Sequence, residues 1–354
     1  GYKEEHRKYG LIYSGLYNST SGVNNLNQFV AAEKITKDIN PTYGSIQKLY
    51  AGWGQGGDLI TLCEDRVLKI LANKDALFNA DGDTNVVSTN AVLGTATPYS
   101  GEYGISKNPE SFASEAYRAY FTDKVRGTVM RLSRDGLTPI SSAGMKDWFR
   151  DNLKLSNKLV GTYDDKKGEY NITIKDNSKT VTYREDVKGW VSFKSFVPED
   201  GLSCANEYYT FDNGRLWKHN ENSVNRNTFY NSFSPSSVDV IINDLPGSIK
   251  TFHTLSYEGS QSRVDAITSS AGLPDQYDIW DVTTWNGAFD SNGIPVYTNS
   301  SATVADGDYY NLSPTGTAGW YVKNIETDKE VGALNEFIEK EGKWFNYIKG
   351  KAWQ

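Results

Sequence analysis

An all-β fold, specifically a β-propeller of four-stranded antiparallel blades with a C-terminal extension, is predicted by three observations in this 354-residue chain. The first is a hairpin that recurs five times: Thr61-LCED-Arg66-VLKIL, Tyr120-FTDKVRG-Thr128-VMRL, Thr162-YDDKKG-Glu169-YNITI, Tyr209-TFDNG-Arg215-LWKH and Val240-IINDLPG-Ser248-IKTF. Each joins an aromatic or β-branched strand to a second alternating strand through an acidic or glycine-bearing turn. The second is spacing. The turn acids Asp65, Asp123, Asp165, Asp212 and Asp244 lie 58, 42, 47 and 32 residues apart, close to the roughly 40 to 50 residues of one blade. The third is composition, because 23 Tyr, 14 Phe and 9 Trp supply apolar area suited to thin sheets, and 32 Gly against 10 Pro suits many turns.

Taken in order, residues 8 to 17 alternate as a strand and are followed by a polar loop, NSTSGVNNLNQ. Phe29 to Ile39 has mixed spacing and fits a short helix or an edge strand. Ile46 to Phe78 reads as two strands around a turn, interrupted by the Gly52–Gly57 loop. That loop lacks the Lys-Ser/Thr of a phosphate-binding loop and precedes a strand, so it reads as a connector. A loop holding Pro109 leads into the second hairpin. Met145, Trp148, Phe149 and Leu153 fall at helical offsets and predict one short helix between blades. The hairpin TVTYREDVKGWVSFKSF, turning at Asp186–Gly189, completes the blade that begins at Thr162. After about residue 270 the alternation gives way to Asn, Gly, Ser and Asp, which places a boundary there. Residues 1–270 are thus expected to form the propeller, of about six to seven blades, and residues 271–354 a β-rich docking extension. The closing stretch from Gly319 reads as two strands around a helical turn.

Composition narrows the function classes. The net charge is −7, and no run of five Lys/Arg could track a phosphate backbone, so direct nucleic-acid binding is not expected. No window of eighteen apolar residues exists and GYKEEHRKYG is polar, which predicts neither a transmembrane helix nor a signal peptide, hence no membrane partner. Gly1 opens on a patterned stretch, as expected of a fragment or a processed product. Cys63 and Cys204 have no Cys or His partner nearby and are expected to be reduced, buried thiols, in keeping with assembly in a reducing cytosol.

Candidate sites are few. Asp81, Asp83 and Asn85 resemble the start of a calcium loop, but Val86 and Val92 replace the Gly and Glu that such a loop needs, so an ordinary polar turn is expected. His6, His219 and His253 are isolated from Cys and from paired acids, which disfavours zinc, and no GxSxG elbow supports a serine triad. The carboxylate pairs Glu64-Asp65, Asp164-Asp165 and Glu185-Asp186 are the best enzymatic option, because glycoside hydrolysis needs two acids across a cleft. All three fall in or beside turns, where acids favour local backbone geometry. Trp53, Trp217, Trp280 and Trp285 are candidates for stacking on sugar rings. The Asn-x-Ser/Thr strings at Asn18, Asn171, Asn299 and Asn311 carry little weight without a secretion signal. No catalytic residue, cofactor or metal is assigned.

Longer strings are more specific: Gly1-YKEEHRKYGLIYSG, Val67-LKILANKDALFNADG, Gly101-EYGISKNPESFA, Tyr117-RAYFTDKVRGTVMRLSRDGLTPIS, Phe252-HTLSYEGSQSRV and Asn335-EFIEKEGKWFNYIKG. They resemble segments of large virion structural proteins of tailed bacteriophages, including those of marine cyanobacteria and the crAss-like phages, whose tail or portal-proximal subunits carry β-propellers. The resemblance covers nearly the whole chain, least in 275–318. It implies a non-enzymatic tail, neck or baseplate subunit, assembled in the host cytoplasm into a symmetric homo-oligomeric ring with other virion proteins, and made as part of a longer polypeptide. No catalytic residue is carried over. Trp344, Phe345 and Tyr347 are expected to pack at the domain base or against a neighbouring subunit. Two other readings stay open, a receptor- or glycan-binding tail module and a tail glycan-degrading enzyme.

Overall fold

The computed structural model describes residues 6–15, 17–30, 32, 35–52, 57–78, 84–224, 227–258, 262–264, 285–289, 295–297, 309–311, 322–328, 331–334, 337–341 and 343–350. The fold is all-β and propeller-like, built on four-stranded antiparallel sheets, with one α-helix among the described residues. The chain divides into two compact units, Gly1–Val238 and Asp239–Gln354.

In the first unit, three sheets of four strands are up-and-down meanders. The first comprises β1 (Ile46–Ala51), β2 (Leu59–Cys63), β3 (Val67–Phe78) and β4 (Thr84–Pro98). The second comprises β5 (Ala113–Ser114), β6 (Ala119–Asp123), β7 (Thr128–Ser133) and β8 (Gly136–Pro139). Helix α1 (Lys146–Leu155) separates it from the third, made of β9 (Leu159–Asp164), β10 (Glu169–Ile174), β11 (Lys179–Arg184) and β12 (Gly189–Lys194). A three-stranded sheet follows, β13 (Asp200–Cys204), β14 (Glu207–Asp212) and β15 (Arg215–Lys218). Each strand pairs with its neighbours in chain order. Ile46–Phe78 therefore holds three strands rather than two, and among the described residues of Phe29–Ile39 the one strand is Thr36–Asp38, paired with Gly10–Ile12.

The turns explain why four of the five expected hairpins form. At Asp123–Gly127, an Asp123 Oδ1 accepts the Arg126 N–H at 3.0 Å and Gly127 turns the chain at φ +67°. The third sheet repeats this device with Asp164, whose Oδ1 accepts the Lys167 N–H at 3.2 Å ahead of Gly168 at φ +64°. The acid that shapes that turn is Asp164, not its neighbour Asp165. Asn213 and Gly214, both at positive φ, form the two-residue turn between β14 and β15, as the twist of a hairpin favours. The fifth hairpin does not form: residues 234–253 contain no strand. Local pattern cannot make a hairpin without a sheet to cover its apolar face.

Alternate residues of a strand face opposite ways, and in the second sheet both ways are covered. Ala119, Phe121, Met130 and Leu132 pack toward Ile60, Leu62 and Val67 of the first sheet. Tyr120 and Val129 pack toward Leu159, Tyr170 and Ile172 of the third, with Phe149 and Leu153 of α1. The helix is the expected one, Met145, Trp148, Phe149 and Leu153 all lying against this core. Tyr120 stacks on Tyr170 with ring centroids 4.8 Å apart. Close approach needs a residue without a side chain. A Cβ on Gly161 of β9 would lie 1.9 Å from the Ser111 carbonyl oxygen, which the Tyr170 hydroxyl holds at 3.0 Å.

The third and fourth sheets meet through Thr162 Oγ1 and the Tyr208 hydroxyl, 2.7 Å apart, and through Ser203 Oγ donating to the Tyr163 carbonyl at 2.7 Å. His219 is buried beside them, its ring 5.0 Å from Phe196 and 4.9 Å from Tyr208, with Nε2 2.6 Å from Thr210 Oγ1. Burial, then the charges of Lys194 and Lys167, push its pKa down to about 4.

In the second unit, β16 (Thr254–Tyr257) pairs with β20 (Lys343–Tyr347), which also pairs with β19 (Ile338–Lys340). β17 (Val322–Glu326), β18 (Val331–Leu334) and β21 (Lys349–Gly350) form another sheet. Leu334, Phe337 and Trp344 are its buried centre, with Leu255, Tyr257, Val322 and Ile325 packed on them. No helical turn occurs among the described residues of the closing stretch. Ser262–Val264 pairs with Tyr309–Asn311 in parallel, and Trp285–Phe289 with Pro295–Tyr297 antiparallel.

Two outcomes follow from this packing. Gly161→Ala must displace backbone and is expected to lower stability by about 1–3 kcal/mol. Gly189→Ala, whose Cβ would stand 3.6 Å from the nearest atom, should change it by less than about 0.5 kcal/mol; urea unfolding of both variants gives the comparison, and equal midpoints would refute the close contact. For His219 the unfolded chain titrates near 6.5 and the folded chain near 4. Between those values only the unfolded state takes up the proton, so stability falls on acidification, by about 2 to 3 kcal/mol at pH 4.5. His219→Gln should lose that increment relative to the parent; an equal change between pH 7 and pH 4.5 in both proteins would show that the folded ring takes up its proton as readily as the unfolded chain does.

Candidate interaction surfaces

The turn acids, which at the level of sequence are the best candidates for catalysis, are tied into structure. Glu185 accepts from the Tyr120 hydroxyl at 2.9 Å and from Arg131 Nη1 at 2.9 Å, so it straps the third sheet to the second. Arg118, which pairs with Glu115 at 2.7 Å, adds a 3.8 Å contact. Burial and the Glu185 carboxylate push the Tyr120 hydroxyl far above its ordinary range, so it donates at every physiological pH. Asp186 is exposed and bonded to Arg184 at 2.5 Å.

Glu64 accepts from the Ser45 hydroxyl and backbone N–H, and that hydroxyl bond more than any other contact holds its carboxyl below the usual range. Asp65 and the fully buried Asp123 share Arg126, at 3.4 Å and 3.0 Å. Asp123 also accepts from Gly104 N–H and Ser106 Oγ at 3.2 Å each, linking the second sheet to the loop before it. Asp164 Oδ2 accepts from Asn220 at 2.9 Å. These carboxylates brace hairpins and sheet junctions.

The other sequence candidates are dispersed. His6 and His253 are exposed and His219 is buried; among the described residues no three His, Cys, Asp or Glu gather as metal ligands would. Asp81 and Asp83 lie outside the described residues, and of Asn85 only the backbone, in β4, is described. Trp53 and Trp280 lie outside them too, and Trp285 is described only as backbone. Trp217 is half-buried, 5.4 Å from the Tyr230 ring, rather than an open platform. Both cysteines are unpaired thiols, but only Cys63 is buried, its thiol pushed up to about 11 by burial and by Glu64; Cys204 is exposed. Position at the end of an outer strand, which alternation alone does not reveal, accounts for the difference.

Exposed apolar surface is what the sequence reading missed. In the second unit Val240, Ile241, Ile242, Leu245, Ile249 and Phe252 all face solvent, Ile241 and Ile249 at 92% and 93% exposure. Lys250 Nζ fixes the bend within this run by donating to the Leu245 carbonyl at 2.8 Å and to Asn243 Oδ1 at 3.0 Å. In the first unit Ile12, Tyr17, Leu26 and Phe29 are likewise exposed. Single exposed hydrophobes are ordinary, whereas a consecutive Val-Ile-Ile at the surface is characteristic of contact with another molecule. Of the three expected interface residues, Trp344 is buried in the second unit's own centre, Phe345 is half-buried and Tyr347 is 65% exposed. Alternation along β20 separates them. Among the described residues no helix is long and apolar enough to cross a membrane, which says nothing of strands.

No curated protein matches. Among solved structures, a "Streptogramin B lyase structure" aligns at 11% identity over 52% of this chain and 72% of its own, with a TM-score of 0.24, a likeness too loose to carry an argument. Residues 36–214 match the family model of the crassvirus muzzle protein, and residues 224–351 match that of the crassvirus muzzle protein C-terminal domain. With more than half of its length under the first model and most of the remainder under the second, this chain belongs to the crassvirus muzzle protein family and is a virion protein of a crAss-like phage.

Proposed function

We propose that this chain is a non-enzymatic structural subunit of the tail, neck or baseplate, repeated in a symmetric ring and acting through contacts with copies of itself and with other virion proteins. The observation that carries this reading is the surface of residues 240–252, where Val240, Ile241, Ile242, Leu245, Ile249 and Phe252 all face solvent. Obligate interfaces are rich in such surface and commonly bury more than about 2,000 Å². Tyr347 adds to the contact, held in place by Trp344 at the centre of the same strand's sheet. The stacked sheets of the first unit supply stiffness, and their acids serve as braces.

Cross-linking mass spectrometry of purified particles tests this. Peptides of the chain should be present in many copies per particle, and Lys250, within the apolar run, should link to another polypeptide or to a second copy. A variant carrying Ile241→Asp and Ile249→Asp should fold with an unchanged melting temperature yet be depleted from particles by about tenfold or more, as expected when two central contacts of about 1 kcal/mol or more each are lost. Particles that lack the chain, or normal incorporation of the double variant, would refute the proposal.

A further inference from the structure

A lysine, a carboxamide and a carboxylate converge on one face of the third sheet. Lys194, the last residue of β12, reaches across β11 to β10, where its Nζ lies 2.5 Å from Glu169 Oε2 and 3.2 Å from Asn171 Oδ1. Asn171 is fully buried and the side chains of Lys194 and Glu169 are 17% and 11% exposed. Thr182 Oγ1 donates to the same Asn171 Oδ1 at 2.7 Å. Asn171 sits beside the Tyr208 hydroxyl, but its Nδ2 makes no hydrogen bond. The Phe196 ring lies 5.9 Å from Nζ. A buried ion pair accounts for the contact with Glu169. It does not account for a carboxamide whose oxygen faces the amine and a hydroxyl donor while its NH2 group, beside the Tyr208 hydroxyl, makes no well-formed hydrogen bond, an arrangement that costs free energy.

We propose that Lys194 and Asn171 form an intramolecular isopeptide bond, with Glu169 as the proton carrier. Glu169 takes a proton from the Lys194 ammonium, leaving a neutral amine. The amine lone pair attacks Asn171 Cγ, and the negative charge that develops on Oδ1 is met by the Thr182 hydroxyl, a donor already in place. Glu169 delivers its proton to Nδ2, the Cγ–Nδ2 bond breaks to release ammonia, and Nζ gives up one of its two protons through the carboxylate to that ammonia, keeping the other as the amide N–H. The balance is one ammonium and one carboxamide giving one secondary amide and one ammonium ion; no oxidant or cofactor enters. Burial, partly offset by Glu169, lowers the pKa of Lys194, which favours the neutral nucleophile. The product would tie β10 to β12 across β11, a covalent brace suited to a subunit under mechanical load.

Intact mass of the full-length denatured protein reads the reaction directly. The parent should be lighter than its sequence by one ammonia, and proteolysis should yield one branched peptide joining Lys194 to Asn171. Glu169→Gln and Lys194→Met should each restore the full sequence mass. An unmodified parent mass with linear peptides across both residues overturns the proposal, as does an ammonia loss mapped to another site, such as a succinimide at Asn213-Gly214. Because the parent's own peptide map decides, the test stands even where a variant fails to fold.

Discussion

The architecture of the first unit depends on burying both faces of its middle sheets. Once the second sheet is covered by the first and the third, its central strand Ala119–Asp123 has no solvent side. The segments AYFTD and EYNITI are accordingly buried at every position, rather than alternating as half-buried strands do. Such stacking requires close approach of backbones, which Gly161 provides against Ser111, and it leaves α1 as a plug beside the aromatic cluster of Tyr120, Tyr170 and Trp190.

Stacking also fixes what polar groups must do. A carboxylate or hydroxyl between two sheets is costly unless paired. Glu185, Asp123 and Asp164 each gather two or more donors from neighbouring strands or loops, and Thr162, Thr173 and Thr180 pair with other hydroxyls. Breaking such a network by removing one member is generally worse than never having built it. Among the residues that suggest paired catalytic acids when read as a string, Glu185 ties the third sheet to the second and Asp164 ties its turn to Asn220.

Much of this was legible in sequence where the signal is local. The turns Asp123–Gly127 and Asp212–Gly214 carry their own chemistry, and the offsets of Trp148, Phe149 and Leu153 admit only a helix. What failed depended on distant partners. Val240–Ile242 has the composition of a strand and a following Pro-Gly turn, yet no strand pairs with it, so it lies at the surface. Asp164 and Asp165 are indistinguishable as letters, and only the position of the strand end decides which accepts the Lys167 N–H. Cys204, expected inside, ends an outer strand. The meeting of Lys194, Glu169 and Asn171 was invisible because it needs the register of three strands at once: Asn171 opposite Thr182, and Lys194 opposite Thr180.

The first unit is a stiff stack of sheets, and the second carries exposed apolar side chains at residues 240–252. Stiffness arises from two-sided burial and inter-sheet ties, and the proposed contacts rest on side chains such as Ile241, Ile249 and Tyr347, which are exposed among the described residues. The most direct measurement is a reconstruction of the intact particle at side-chain resolution. The account predicts symmetric copies of this chain with the sheet stack unchanged and Ile241 and Ile249 enclosed by a neighbouring polypeptide. Copies in which that run faces solvent would contradict it.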